Sequence, residues 1–409
     1  MKKVIIVDDD PDMLDLMTEI LKANYTVSTA RDGAAGLEAI RKERPDLVVL
    51  DLLMPRMHGF EVCKKLREDD TLKGTKILIS SSKSYIHDIK TAQSAGADAY
   101  IVKPFDLAAF TKQVDEMMGS AKPKLGLTFW GTRGSTPSPG PNTQRYGGNT
   151  PCTVMRLGKE IIIIDAGTGL RELGNSLMKE FQNKPISAHL FIGHTHWDHI
   201  QGFPFFTPAY LPQNRFWIYG VHGTTQSFEE VLKGQMSPTY FPVAMREMAA
   251  RADVIELAGP LRLGEMKVSY HYLNHPGITV GFRFETREWT VCYISDHEPY
   301  GKLNNMGGYS VKEDEAVAQF VHGADLLISE AQYTEDEYKI KKTWGHSTFS
   351  DVISLAVKSE VKKLALFHHD PAHTDEMMDK YVAECKDFVS RNNHNIDVFG
   401  AQEGMTLEL

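Results

Sequence analysis

A group of histidine and aspartate residues near the middle of the chain has the composition of a metal site. Residues 194–199 read His-Thr-His-Trp-Asp-His, so six positions supply three imidazoles and one carboxylate. These are ligands that Zn²⁺, Mn²⁺ and iron accept, and a hydrolytic site keeps one coordination position open. The spacing is enough to begin two adjacent metal sites. The alternative is a polar loop that happens to contain histidines.

The residues around this motif indicate which element must position it. The mainly apolar run at residues 188–192 precedes this motif and predicts a buried strand, so the motif lies on the loop that leaves the strand. Three further candidate ligands, His275, Asp296 and His368, lie much farther along the chain. A metal site therefore requires the fold to bring distant segments together.

The motif His-x-His-x-Asp-His, followed in order by these three residues, resembles the metallo-β-lactamase superfamily over roughly residues 125 to 409. The resemblance implies an α/β fold, an αββα sandwich that carries a one- or two-metal hydrolase site. It also implies a structural role beneath the metals for Asp165, which lies in the strand and glycine-rich turn of residues 161–169. The implied ligands are His194, His196 and His275 for metal 1, Asp198, His199 and His368 for metal 2, and Asp296 for both.

One ligand position has two candidates, since His369 follows His368 directly. His368 is favoured because the superfamily position that it matches follows immediately on a strand, here residues 363–367. The implied cofactors are two divalent transition metals. Zn²⁺ is the first expectation, and Mn²⁺ and Fe²⁺ are alternatives because imidazole and carboxylate bind all three.

The sequence Trp-Gly-His-Ser-Thr at residues 344–348 resembles the ribonuclease Z and phosphodiesterase branch of that superfamily. The resemblance places His346 near the scissile phosphate, where it would help the leaving oxygen to depart, so His346 and Asp198 are the candidate catalytic residues. Alternatively, His346 only begins a helix that Ser347 and Thr348 cap. Glu330 either supports such a histidine from behind or is an ordinary carboxylate at a strand end.

The expected substrate is a small phosphodiester such as a cyclic nucleotide. The chain carries a formal net charge of −9, whereas nucleic-acid binding relies on a basic patch, and no basic arm for gripping tRNA is visible. Aromatic residues at 203–206 and 240–241 are either a wall that stacks a base or, by default, core. The alternatives are a same-fold hydrolase of another ester, a thioester or a lactam, and a metal-containing signalling module without turnover.

The first 120 residues have a different pattern. Short apolar strands end in polar residues: Asp8 and Asp9 after the first, Asp51 after a second, Ser80 after a third and Lys103 after a fourth. Helical patterns separate these strands, which predicts a parallel sheet with helices on both faces. In such sheets ligands bind at the carboxyl ends of the strands, where all these side chains lie.

This segment resembles the receiver domain of two-component response regulators, a doubly wound (βα)5 fold. The resemblance implies that Asp51 is the phosphoacceptor and that Asp8, Asp9 and Asp51 hold Mg²⁺. It further implies that Ser80 and Tyr100 are switch residues and that Lys103 contacts the phosphoryl group. Clustered carboxylates repel one another unless a cation neutralises them, and their oxygens suit Mg²⁺. The implied partner is a sensor histidine kinase.

The sequence therefore predicts two domains, residues 1–120 and 125–409, joined by a short Gly/Ser/Pro/Lys segment at 119–124. We expect a cytoplasmic protein without a membrane partner, since no apolar run approaches the length of a membrane span. DNA binding is not expected, because no helix-turn-helix follows the receiver pattern. The oligomeric state is left open, a homodimer included.

Overall fold

The computed structural model describes residues 2–83, 85–118, 125–182, 184–303 and 308–409. It divides into two compact units, Met1–Pro123 and Lys124–Leu409, which are described separately below. The predicted joint, residues 119–124, lies outside the described residues.

The first unit is a five-stranded parallel sheet with helices between successive strands. Its strand order is β2-β1-β3-β4-β5. Aspartates begin three of its helices, because the side chains of Asp10, Asp32 and Asp106 accept hydrogen bonds from free backbone N–H groups of the first turn. The elements are β1 (Lys3–Val7), α1 (Pro11–Leu21), β2 (Thr26–Ala30), α2 (Gly33–Glu43), β3 (Leu47–Asp51), α3 (Gly59–Glu68), β4 (Lys76–Ser81), α4 (Ile86–Ser94), β5 (Ala99–Val102) and α5 (Leu107–Met117).

The second unit begins with a sheet of seven strands in the order β11-β10-β9-β8-β7-β6-β19, in which β19 returns from the end of the chain. Short 3-10 helices occur at Pro141–Thr143, Phe203–Phe205, Thr207–Tyr210 and Met245–Glu247. The other elements of this half are β6 (Leu125–Gly131), β7 (Cys152–Leu157), β8 (Glu160–Ile164), α6 (Gly169–Phe181), β9 (Ser187–Phe191), α7 (Trp197–Ile200), β10 (Arg215–Gly220), α8 (Phe228–Gln235) and β11 (Arg251–Glu256).

The remaining strands of this unit form a second seven-stranded sheet in the order β12-β13-β14-β15-β16-β17-β18. Its elements are β12 (Leu261–Leu263), β13 (Met266–Leu273), β14 (Thr279–Glu285), β15 (Thr290–Ile294), α9 (Tyr300–Leu303), α10 (Gly308–Val321), β16 (Leu326–Glu330), α11 (Glu335–Lys341), α12 (Phe349–Lys358), β17 (Lys363–Phe367), α13 (Asp375–Arg391) and β18 (Asp397–Gly400); β19 is Thr406–Glu408.

Three apolar clusters show that this unit has four layers. One cluster joins the two sheets face to face and includes Phe129, Phe191, Phe282 and Phe367. A second lies between the first sheet and its helix α6, and a third lies between the second sheet and helices α12 and α13. Both sheets are thus buried on two faces, as the continuous apolar run of β8 indicates. The predicted αββα sandwich and the doubly wound first unit are confirmed.

The candidate ligands lie where buried strands end. Residues 194–199 follow β9, Asp296 follows β15, and His368 follows β17. Adjacent loops at the same edge of a layered sheet can bring such residues together without further elements. Among the described residues, no helix is long and apolar enough to cross a membrane.

Candidate functional site

The seven predicted ligands lie in two groups that share Asp296. The first group is His194, His196, His275 and Asp296, and the second is Asp198, His199, Asp296 and His368. In each group the ligand atoms lie within 4.8 Å of one another. The structure therefore brings together residues as far apart in the sequence as Asp198 and His368, which are separated by 170 positions.

In the first group the atoms that face one another are ring nitrogens and one carboxylate oxygen. Asp296 Oδ2 lies 3.4 Å from His194 Nε2 and 3.7 Å from His275 Nε2. His196 turns Nδ1 inward, 3.0 Å from His275 Nε2. Ligands bound at 2.0–2.2 Å around a tetrahedral ion lie roughly 3.3–3.6 Å apart, so these separations suit one cation.

The second group uses the other oxygen of the same carboxylate. Asp296 Oδ1 lies 3.3 Å from His368 Nε2 and 3.5 Å from His199 Nε2. Asp198 Oδ2 lies 3.1 Å from His368 Nε2 and 3.3 Å from His199 Nε2. Asp296 thus directs one oxygen to each group, which is the geometry of a bridging ligand.

Buried polar atoms without partners support the fit of this donor set to cations. Among the described residues, His194 Nε2 and Asp296 Oδ1 are buried and accept or donate no hydrogen bond. An orphaned buried polar atom is costly, so such atoms concentrate where a ligand or ion completes the site. Although burial opposes ionisation, the imidazoles of His368, His199 and His194 hold the pKa of Asp296 well below its usual range. A buried, ionised carboxylate surrounded by imidazoles is suited to a divalent metal.

In three of the histidines whose Nε2 faces inward, a hydrogen bond to Nδ1 fixes the orientation of the ring. His199 Nδ1 lies 2.8 Å from Asp165 Oδ2, and His275 Nδ1 lies 2.8 Å from the carbonyl oxygen of Gly345. His368 Nδ1 lies 2.9 Å from Gln332 Oε1. These acceptors take the ring proton on Nδ1, which leaves the Nε2 lone pair free for a metal.

The carboxylate of Asp165 fixes the orientation of His199 and is itself held by two further hydrogen bonds. This carboxylate accepts bonds from the backbone N–H of Gly193 and from the hydroxyl of Tyr293, at 2.8 and 2.6 Å, besides its contact with His199. Asp165 and His368 both have left-handed backbone angles, with φ of 60° and 57°. Such angles are unfavourable for residues other than glycine and persist where the surrounding contacts fix them, often at functional sites.

His369 lies outside both groups. Its Nε2 lies 2.9 Å from the carbonyl oxygen of Ala401, and its ring packs edge-on against Tyr146. Burial lowers the pKa of His369 to about 3. The neutral ring therefore belongs to the core, which leaves His368 as the candidate ligand.

The acidic residues of the first unit meet at the carboxyl edge of its sheet. Lys103 Nζ donates to Asp8 Oδ2 at 2.6 Å and to Asp51 Oδ1 at 3.1 Å. Ser80 pairs with Asp51 in the register of β3 and β4, and its buried hydroxyl has no partner among the described residues. Burial raises the pKa of Asp8, and the contact with Lys103 opposes that rise.

Two predicted residues of this edge lie slightly apart from it. Asp9 is exposed, and in the described part of the chain no ion pair or hydrogen bond joins it to Asp8, Asp51 or Lys103. The Tyr100 hydroxyl donates to the backbone oxygen of Lys83 at 2.7 Å. Asp8, Asp51 and Lys103 therefore form the compact part of the site.

Comparison with known proteins finds a different family in each of two parts of the chain. Residues 4–115 match the family model of the response regulator receiver domain, and residues 160–369, just over half of the chain, match that of the β-lactamase superfamily domain. The chain belongs to the β-lactamase superfamily. Its N-terminal part is a response regulator receiver domain, fused to the β-lactamase-fold domain.

Each of the following relatives matches one of the two domains. The DNA-binding response regulator MtrA of Mycolicibacterium smegmatis is 37% identical over 105 residues, which are 25% of this chain and 45% of that protein. The chain thus spans about half the length of the curated relatives it matches. The metallo-β-lactamase-fold protein YhfI from Bacillus subtilis aligns with a TM-score of 0.51 at 17% identity, over 70% of this chain and 100% of that one, and shows the fold. The short form of human tRNase Z aligns with a TM-score of 0.47 at 20% identity, over 69% and 98%.

His346 of the β-lactamase-fold domain points into the cleft beside both groups. Its Nδ1 is buried without a hydrogen-bond partner, 3.8 Å from Glu330 Oε2 and 4.0 Å from Asp296 Oδ2. Its ring stacks on His368, with centroids 5.3 Å apart. The cap of α12 is Thr348, whose side chain accepts from the N–H of Asp351, so capping does not explain His346.

Two buried glutamates of this domain hold the segment that carries His346. Glu330 Oε1 accepts from the backbone N–H groups of Ser347 and His297, at 2.6 and 3.2 Å. Glu298, which sequence reasoning missed, accepts from the Tyr338 hydroxyl at 2.6 Å and the Gly345 N–H at 2.9 Å. The sequence signal that could have identified Glu298 is its position two residues after Asp296.

A buried arginine near the start of the β-lactamase-fold domain was also missed. Arg133 is fully buried and donates to the carbonyl oxygens of Gly147, Asp370 and His373 at 2.8–3.1 Å. It thereby ties the loop after β6 to the loop after β17. Two residues later, the backbone N–H of Ser135 donates to Asp198 Oδ2 at 2.9 Å, so this loop also orients a candidate ligand.

The aromatic residues that the sequence singled out are divided between core and surface. Phe203 and Phe206 are buried in the core, whereas Phe205 is exposed and packs edge-on against Phe241. Tyr240 is exposed. The interpretation as core therefore holds for Phe203 and Phe206 and in part for Phe241, which is half-buried and packs against the same cluster.

Proposed function

We propose that the β-lactamase-fold domain is a dinuclear metal-dependent phosphodiesterase that hydrolyses a small phosphodiester, and that phosphorylation of Asp51 controls it. The observation that carries this proposal is the bridging geometry of Asp296, which turns one oxygen to each of two histidine groups. A pair of sites that share one carboxylate suits phosphoester hydrolysis, because two cations can stabilise both the attacking and the leaving oxygen.

The residues present fit two divalent cations. His194, His196 and His275 would hold one, Asp198, His199 and His368 the other, and Asp296 both. When bound, such ions supply Lewis acidity and lower the pKa of water enough to provide a nucleophile at neutral pH. Zn²⁺ is the first candidate, and Mn²⁺ or Fe²⁺ also suits the donors.

The protein groups around the cleft have separate tasks in this reaction. A water oxygen gives up a proton to solvent and forms a bond to phosphorus while the bond from phosphorus to the leaving oxygen breaks. The departing alkoxide requires a proton or a strong hydrogen bond. His346 is the group placed to supply it, with Glu330 and Glu298 fixing the segment that carries it. Asp198 is held in place by the N–H of Ser135.

The receiver domain supplies the regulatory half of the proposal. Asp8, Asp9 and Asp51 would bind Mg²⁺, and a phosphodonor such as a sensor histidine kinase would modify Asp51. The added phosphoryl charge can be received by Lys103 and by the unpartnered hydroxyl of Ser80, with Tyr100 as the second switch residue. This would change which conformation of the domain is stable.

The catalytic proposal is tested with purified protein loaded with Zn²⁺ or Mn²⁺. We expect turnover of bis(p-nitrophenyl) phosphate and of at least one cyclic nucleotide, with losses in His196→Ala and Asp296→Ala. Unchanged rates in both variants would refute the proposal. A parallel panel of carboxylic esters, thioesters and lactams distinguishes another hydrolase of this fold, and full metal content without turnover of any compound would indicate a signalling module.

The regulatory proposal has its own measurement. Acetyl phosphate or beryllofluoride with Mg²⁺ should change the hydrolysis rate of the wild-type protein and leave that of Asp51→Ala unaffected. The same response in both proteins would remove Asp51 as the point of control while leaving the hydrolase proposal intact.

A further inference from the structure

The β-lactamase-fold domain carries a large exposed aromatic side chain within its ligand motif. Trp197 lies between His196 and Asp198, and 81% of the surface of this residue is exposed. Leaving an indole exposed to water is unfavourable, and tryptophan is enriched where an apolar ring meets a binding partner, so an exposed tryptophan within a ligand motif is a candidate contact for a ligand. Trp197 is neither a candidate ligand of the two groups nor a proton donor in the proposed reaction.

The position of Trp197 is fixed by the elements that hold its neighbours. It is the first residue of α7, and its carbonyl oxygen accepts from the Gln201 N–H at 2.7 Å. Asp198 is fixed by Ser135 and faces His368. The backbone that carries the indole is therefore anchored beside both metal groups, whichever rotamer the side chain adopts.

Trp197 lines the open cleft of about 410 Å³ that contains the candidate metal groups. The other residues of this cleft are Ser135, Thr195, His196, Asp198, Asp296 and His346. Among the described residues that line it, none is a lysine or an arginine. The phosphate of a bound substrate would therefore be neutralised by the cations. Among the described residues that line this cleft, Trp197 has the largest apolar surface for contact with the organic part of the substrate.

We propose that Trp197 stacks against a planar aromatic group of the substrate, which makes a nucleotide-like phosphodiester the preferred class over an aliphatic one. This inference rests on the proposed function, since it supposes that the phosphate lies at the two metal groups. Every nucleobase presents a flat face to an aromatic side chain, so Trp197 would select for a base without reading its identity. Trp197 is then a specificity-determining residue.

The size of the effect follows from measured stacking contributions. Stacking of one base on an aromatic side chain contributes roughly 1–3 kcal/mol, which corresponds to about a 5- to 150-fold change in affinity. The contact forms with bound substrate as well as in the transition state. We therefore expect Trp197→Ala to raise KM much more than it lowers kcat.

A binding experiment tests the inference without turnover. The affinities of adenosine 5′-monophosphate and ribose 5-phosphate for the metal-loaded protein are measured by calorimetry in wild type, Trp197→Ala and Trp197→Phe. We expect a wild-type preference for the nucleotide, its loss in Trp197→Ala and its retention in large part in Trp197→Phe. Phe388→Ala, which removes an exposed aromatic ring on α13 far along the chain from the motif, is the matched control and should keep the preference.

The outcomes separate this inference from the hydrolase proposal. Equal affinities for the two compounds in wild type, no binding of either, or the same preference in wild type and Trp197→Ala would each overturn the stacking role. A preference that depends on Trp197 in a protein without phosphodiesterase turnover would retain the stacking role and refute the proposed reaction. Turnover without such a preference would retain the reaction and refute the stacking role.

Discussion

The chain contains two clusters of acidic residues at strand ends, and they are neutralised in different ways. In the receiver domain Lys103 donates to both Asp8 and Asp51, so a side chain of the protein already supplies the positive charge. In the β-lactamase-fold domain the described ion pairs of Asp198 and Asp296 are with histidines alone. Lys103 can therefore neutralise the first cluster without a cation, whereas in the second His194 Nε2 and Asp296 Oδ1 are buried without a hydrogen-bond partner among the described residues.

If each cluster binds a cation as proposed, this difference predicts different lifetimes for the two kinds of bound ion. A cation that competes with a built-in ammonium group binds weakly and can be exchanged, which suits a site that is charged and discharged during signalling. A cation that completes a set of oriented imidazoles is held tightly, which suits catalysis. The following predictions test this contrast, beginning with the largest effect.

The shared carboxylate should be the most sensitive position of the catalytic cluster. Asp296→Ala removes a ligand from both groups, whereas Asp198→Ala leaves the first group complete. We expect Asp296→Ala to lose most of both ions and Asp198→Ala to keep about one ion per chain. Because metal ions contribute several kcal/mol of charge stabilisation, both should lower the phosphodiesterase rate by about 10³-fold or more.

The metal content of the purified variants, measured by plasma mass spectrometry, distinguishes these two outcomes. Asp387→Ala is the control, because this exposed carboxylate pairs with Arg391 on the surface of α13. Two tightly held ions per chain in Asp296→Ala would contradict the bridging geometry.

The contrast between the clusters also explains what could be predicted from the sequence. The motif at residues 194–199 and the polar ends of the receiver strands are local patterns, because a strand end fixes where its next residues lie. Glu298 and Arg133 are different. Their roles depend on which distant backbone groups, such as those of Gly345 or Asp370, the fold places against them.

Residue type was also a poor guide to burial for these positions. Arginine and glutamate are almost never fully buried, so a sequence gives no reason to expect Arg133 or Glu298 in the interior. Trp197 is the opposite case, since a tryptophan inside a metal motif at 81% exposure departs from the usual distribution. Only the folded structure shows which groups surround these three side chains.

His346 is not a member of either of the two groups that share Asp296. His346→Ala should lower the rate for phosphodiesters with alkoxide leaving groups by about 10²-fold, the lower end for general acid catalysis. The loss should be smaller for p-nitrophenyl esters, because p-nitrophenolate departs without a proton. Rates across a series of leaving groups, with metal content measured in parallel, provide the comparison.

Thr348→Ala separates this role from helix capping. Thr348 begins α12, and removing its cap should cost about 1 kcal/mol of stability while the rate stays close to that of the wild type. An equal loss of rate for alkoxide and p-nitrophenolate leaving groups in His346→Ala would argue against a role in protonation.

The buried guanidinium group of Arg133 should contribute more to stability than that of Arg156, which lies near the surface. Arg133→Met leaves the carbonyl oxygens of Gly147 and His373 without the donor that Arg133 supplies, whereas that of Asp370 still accepts from the His373 N–H. At about 1–3 kcal/mol for each unsatisfied carbonyl group, we expect at least about 2 kcal/mol of destabilisation. Arg156→Met removes only an exposed pair with Glu180 and should cost less than about 1 kcal/mol. Thermal unfolding of both variants measures the difference, and similar melting temperatures would contradict the clamping role.

The smallest effect is expected for a variant that removes the lysine from the acidic cluster of the receiver domain, so that this cluster, like the catalytic one, has no ammonium group of its own. Lys103→Met removes the built-in ammonium group, which leaves Asp8 and Asp51 dependent on Mg²⁺ for neutralisation. We expect Mg²⁺ affinity at neutral pH to rise about fivefold, the equivalent of roughly 1 kcal/mol for pairs in which the carboxylates are buried and the ammonium group is partly exposed. The stability of the variant without Mg²⁺ should fall, because two nearby carboxylates then repel each other. Titration followed by calorimetry measures the affinity, and unchanged or weaker binding would mean that Lys103 does not compete with the cation, so the contrast between an exchangeable and a permanent ion would need another cause.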